Sequence, residues 1–161
     1  STLPVYRLIA DGSDVANSQY NSGFEGRDFY GTMVYGGKVY DHMQFSNRGE
    51  FSTYQSGKNK WRFFFNRGRR FEARDNYGEP YPTPFPVMTF SACASPWVPA
   101  NRGMAGMDEA TAFRLHDLAG VPSPKTHHVH FRIIDDAIYG AARDEDGVEQ
   151  VVRLRLRRGG A

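Results

Sequence analysis

A single cysteine, the absence of long apolar runs and a near balance of charge set the first limits on this 161-residue chain. Cys93 has no second cysteine to pair with, which excludes an intrachain disulfide and a cysteine zinc cluster. In the small, apolar context FSACAS it reads as a buried, inert thiol. No apolar stretch approaches the roughly 20 residues that a membrane-spanning helix needs, and no signal peptide is read at the start, so no membrane partner is expected. A formal net charge of +2 is too small to make the whole protein a polyanion binder, which argues against nucleic acid. No G-x-S-x-G occurs, so serine-nucleophile chemistry has no elbow to sit on. Carboxylates are scarce in one place above all: Lys58, Lys60, Arg62, Arg67, Arg69, Arg70 and Arg74 face only Glu72 in their stretch. Such a run is most often a solvated strand face.

What is present is globular. Apolar residues at 40% and aromatics at 14% suit one domain with a real core, and the chain is too short for two ordinary ones. Leu3 to Ala10 predicts a first strand with Tyr6 and Leu8 on one side and Val5, Arg7 and Ile9 on the other. Asp11 to Gly26, rich in Gly, Ser and Asn, reads as a loop. Gly36-Gly37 between Asp28–Tyr35 and Lys38–Phe45 is the strongest hairpin signal in the chain. From Lys60 the residues alternate, with Trp61, Phe63 and Phe65 on a core face and Lys60, Arg62 and Phe64 opposite. Phe71 to Arg102 is rich in proline, yet Tyr77, Tyr81, Phe85, Met88, Phe90 and Trp97 predict an ordered excursion. A helix starting near Asn101 or Gly106 is expected to end at Gly120, and Thr126 to Ile134 returns as a strand. The expected fold is α+β: a mostly antiparallel sheet of about five strands with one main helix.

Chemistry-bearing residues gather between Arg48 and Lys60. The loop of Gly49, Ser52, Thr53, Ser56 and Gly57 can bring backbone N–H groups to an anion, with Lys58 beside it as a point charge. Arg48-Gly49, then Ser52, then Lys58 three residues before an aromatic strand, resembles the amino-terminal lobe of the CotH family of atypical protein kinases. A second block agrees: Glu109, a helical run to Leu118, then AGVPSPKT and a strand. The resemblance covers roughly Leu3 to Asp136, and 1–136 is taken as the lobe.

It implies that Lys58, or Lys60 if the alignment slips, contacts the phosphates of ATP, that Glu109 holds that lysine, and that Arg48, Gly49 and Ser52 shape the loop. ATP and magnesium are the cofactors it implies, and it suggests a spore or extracellular setting. The family's magnesium ligands and acceptor-orienting residue lie in a second lobe that this text does not match. The chain is therefore expected to lack phosphotransfer alone, to be a truncated or frame-shifted relative, and to be open to self-association through an uncovered lobe face. Residues 137–161 read as an atypical basic tail.

Two other readings compete. In a small metal-dependent hydrolase acting on an ester or lactone, His128 and His130 would share a strand face opposite His127, with His42, His116, Asp135 or Asp136 completing a zinc or calcium site. Exposed imidazoles on an edge strand are the plainer account. Asp144, Asp146 and Glu149 in DEDGVE read as a charged turn, because the fragment lacks the spacing of a calcium loop. The third reading is a non-catalytic interaction module, with basic residues interleaved among Trp61, Phe63 and Phe65.

Overall fold

Alternating apolar residues build a six-stranded sheet whose strands, in spatial order, are residues 87–90, 61–64, 38–47, 29–35, 5–9 and 130–134. The structure, a computed structural model, describes residues 3–49, 60–75, 77–91, 107–135, 137–143 and 149–155. The strands are β1 (Val5–Ile9), β2 (Phe29–Tyr35), β3 (Lys38–Asn47), β4 (Trp61–Phe64), β5 (Val87–Phe90) and β6 (His130–Ile134). All neighbours run antiparallel except β1 and β6, which are parallel with Tyr6 opposite Phe131 and Leu8 opposite Ile133. The fold is α+β, and the α-helices among the described residues are α1 (Gly12–Tyr20) and α2 (Met107–Leu118).

The period of two decides which face is dry. Tyr6, Leu8, Met33, Tyr40, Met43, Phe45, Trp61 and Phe63 lie on one face and are buried, as the alternation of Tyr6 with Arg7 and of Trp61 with Arg62 predicts. Rings supply most of this core. Tyr6 meets Tyr35 at 4.3 Å between ring centres, and Phe63 meets Phe90 and Phe131 edge-on at 5.1 and 5.8 Å. Gly36 and Gly37, both at positive φ (57° and 77°), make the β2–β3 turn, which requires that conformation at both central residues.

Several expectations are corrected. Asp11 to Gly26 is not all loop: α1 forms within it, capped by Asp11, whose Oδ1 accepts the Ser13 N–H at 2.8 Å. This helix holds little apolar surface beyond Val15 and is stabilised by packing Val15, Ser18 and Gln19 against the sheet. The mostly antiparallel sheet of about five strands is found as expected, with six strands, and β5 lies within the proline-rich stretch and pairs with β4. The strand expected from Thr126 starts only at His130.

The proline-rich excursion is folded over the described residues 71–75 and 77–91. Phe71 and Phe85 exchange two backbone hydrogen bonds (3.0 and 2.8 Å), and Asp75 Oδ1 accepts the N–H groups of Tyr77 and Glu79 at the tip. Tyr81, Phe85, Met88 and Phe90 pack against the core as expected, but Tyr77 is exposed and anchors nothing. Trp97 lies outside the described residues.

Helix α2 ends where Gly120 reaches φ 77°. The Gly120 and Val121 N–H groups reach back to the carbonyls of Asp117 and His116 at 3.1 and 2.9 Å, the two bonds of a left-handed glycine cap. Its half-buried side is Ala110, Phe113 and Asp117, while Met107, Leu115 and Leu118 face outward. Lys125 and Arg114 both pair with Asp117, and Lys125 foremost holds that carboxyl below its usual range. In the 137–161 stretch, Ala137–Arg143 and Glu149–Arg155 pair as a separate antiparallel hairpin, β7 and β8.

Candidate anion-binding site

The β3–β4 connection opens where the ladder ends. Phe45 faces Phe63, Ser46 faces Arg62 and Asn47 faces Trp61, and one step further the Arg48 N–H donates to the Lys60 carbonyl at 3.0 Å. Because opposed residues share a face, Arg48, Lys60 and Arg62 project together on the side away from the aromatic core. No ion pair involves any of the three among the described residues. The Arg62 guanidinium lies 5.8 Å from the centre of the Phe64 ring, so its stem is laid along its own strand. Gly49, the next residue, takes φ 121°, a conformation from which a side chain would be excluded. Three cations and a left-handed glycine therefore meet at the mouth of the connection.

Of the residues expected to hold a nucleotide, the structure brings Arg48, Gly49 and Lys60 together. Lys58 and Ser52 lie outside the described residues, as do Thr53, Ser56 and Gly57. Glu109 sits in the first turn of α2 and is exposed, and no ion pair to it is formed among the described residues. A polar group that sequence reasoning passed over is Asn47. Its side-chain oxygen and nitrogen are both buried with no hydrogen-bond partner among the described residues, immediately before Arg48. A small depression elsewhere, among Tyr35, Lys38, Tyr40, Glu72 and Arg74, has a volume of only about 60 Å³ and its lysine is already paired with Glu72. It is too small for a nucleotide, since ligand pockets run to roughly 300 Å³ and more.

The histidines are disposed differently from the expectation. His127 and His128 precede β6 rather than lying on it, and His130, its first residue, is exposed. Among the described residues no group of three His, Cys, Asp or Glu side chains is arranged to hold a metal, and Asp136 lies outside them. His127 instead points inward: its Nε2 is 2.8 Å from Tyr6 Oη, with the donor set by the imidazole tautomer, and the two rings are 5.9 Å apart. Burial pushes the His127 pKa down, helped by the neighbouring His128 and opposed by Asp75. Burial likewise pushes the Tyr6 hydroxyl far up, with Tyr35 adding to it.

A half-buried imidazole whose charged form is disfavoured makes stability depend on pH. The unfolded chain binds a proton to this histidine at a higher pH than the folded one does. The stabilisation is therefore full above about pH 6.5, the ordinary histidine value, and is lost as pH falls below it toward the depressed folded value. We expect the melting temperature to drop on acidification from pH 7.5 to 5, and His127→Gln to flatten that drop. An equal drop in the variant would assign it to other groups.

The fold and this site define an α+β domain with a cationic strand-pair mouth. No protein-family model matches the chain, and no curated protein matches it. No helix among the described residues is long and apolar enough to cross a membrane.

Proposed function

We propose that the chain is a CotH-like, kinase-type amino-terminal lobe that binds the phosphates of a nucleotide at the mouth of the β3–β4 connection. The observation that carries this reading is the grouping of Arg48, Lys60 and Arg62 on one face beside Gly49 at φ 121°, with no carboxylate paired to the three cations among the described residues. Cations that no acid neutralises attract an anion, and a glycine with no side chain lets backbone N–H groups approach it. Lys58 and Ser52 would join the site by resemblance. Magnesium, when bound with the nucleotide, would bridge and neutralise its phosphate oxygens. The proposed activity is binding rather than transfer, since transfer also requires carboxylates gathered for magnesium and a residue that orients the acceptor hydroxyl.

The test is calorimetric titration of the 161-residue protein with magnesium-ATP, and with adenosine as the phosphate-free control. ATP is expected to bind and adenosine not. Arg48→Glu with Lys60→Glu is expected to weaken ATP at least about tenfold, or roughly 1.4 kcal/mol. Equal affinity of the double variant and the parent for ATP, or equal binding of adenosine, would sink the phosphate site. Lys58→Ala addresses the resemblance separately: loss of ATP binding in that variant ties the site to the kinase-type lysine.

A further inference from the structure

Arg7 on β1 and Arg132 on β6 stand directly opposite each other in the parallel pair. Adjacent strands are about 5 Å apart, and like charges set opposite one another at that spacing repel. Both side chains are exposed, and no ion pair to either is formed among the described residues. On the next strand Arg7 faces Val34, which faces Val39 in turn, so the row continues without an acid. The row beside it is Ile134, Ile9 and Thr32. Asp41, hydrogen-bonded to Thr32 at 2.8 Å, also pairs with His42 and is thus already engaged. Ile9, Ile134 and Val39 are 43%, 45% and 45% exposed. Helix α1 does not cover this face, because Val15 joins the core on the other one. A repulsive pair of guanidinium groups and a row of exposed aliphatic side chains are each costly in an isolated domain, and here they adjoin.

We propose that this outward face of β6, β1, β2 and β3 docks an acidic protein segment. Arg7 and Arg132 receive its carboxylates, and Ile9, Ile134, Val34 and Val39 receive its apolar side chains. Guanidinium groups match carboxylates in a two-pronged geometry, and a bound carboxylate turns the repulsion between the arginines into shared attraction. Protein is favoured over a nucleic acid or a lipid surface by the mixture. Arg48, Lys60 and Arg62 lie at the opposite end of β3 from Val39, so this patch has two cations, few for a phosphate backbone, whose binding grows with the number of charges met, and nucleic acid offers aliphatic side chains little.

The probes are fluorescein-labelled peptides, one alternating Glu with Leu and one alternating Glu with Ser, alongside a single-stranded oligonucleotide and phosphatidylserine vesicles. The Glu/Leu peptide is expected to bind at least about tenfold more tightly than the Glu/Ser peptide, and Arg7→Gln with Arg132→Gln to lose at least that factor. Arg132→Glu provides an independent reading. It replaces the repulsion with a cross-strand ion pair, so it is expected to raise the melting temperature while abolishing peptide binding. The proposal is overturned by peptide binding that survives the double substitution, or by a lower melting temperature for Arg132→Glu. It is overturned equally by an oligonucleotide or vesicle that binds as tightly as the Glu/Leu peptide with the same sensitivity, which would make the face a general polyanion surface.

Discussion

Phe71→Ala is expected to destabilise the protein by about 3–5 kcal/mol, the range for emptying a buried phenylalanine site, out of a total that for domains of this kind is about 5–15 kcal/mol. Phe71 is almost fully buried and touches rings from three strands and from the segment after β4: Tyr6 at 5.4 Å, Tyr35 at 5.4 Å, Tyr40 at 5.0 Å and Phe65 at 4.9 Å. Its backbone pairs with Phe85, and the N–H of Glu72 beside it donates to Tyr40 Oη at 3.2 Å. Removing the ring therefore loosens the excursion from the sheet as well as leaving a cavity. Urea unfolding checks both. The midpoint should fall steeply, and protection of the Phe71 and Phe85 amides from hydrogen exchange should fall more than that of β2 and β3. A midpoint within experimental error of the parent would show that the excursion contributes little to the core.

Gly31→Val is the second large effect expected, at about 1–3 kcal/mol of destabilisation from overpacking. Gly31 lies on the core face of β2 opposite Met43, where β1 ends and the chain turns toward α1. A Cβ there would come within 3.0 Å of the Ile9 carbonyl oxygen, 3.1 Å of Leu8 Cδ1 and 3.3 Å of Ala10 Cβ. The first of these is backbone and cannot swing away as a side-chain tip can. Gly31→Ala makes the same first contact with less bulk, and part of its cost is offset by about 0.4–1 kcal/mol because alanine restricts the unfolded chain. Thermal melts should thus order parent, alanine and valine with falling stability, and a valine variant as stable as the parent would show that the β1 end can yield.

The candidate site was legible in part. Arg48, Gly49 and Lys60 were named from local text, and ladder register brings them together because the consecutive strands β3 and β4 pair with each other. The HHVH run was read as lying on a strand, with His128 and His130 on one face and His127 opposite, but the strand begins at His130, and His127 meets Tyr6, 121 positions away. No local pattern announces a partner at that separation. Helix α1 was missed because Gly12, Ser13, Asn17 and Ser18 are weak helix formers, and its packing against the sheet overrides that preference. Asp11 ahead of that run was the one available signal, a capping residue.

Residue order along the chain was enough to establish the two-residue alternation, the Gly36-Gly37 turn and the glycine stop of α2, since each depends on backbone preferences over a few residues. It could not set β6 parallel to β1, place Arg132 opposite Arg7, or bring His127 to Tyr6. Those pairings join the two ends of the sheet-forming text. They exist because burying Tyr6, Leu8, Phe131 and Ile133 on one aromatic core outweighs the entropy of closing the chain between them, a balance that no local stretch contains.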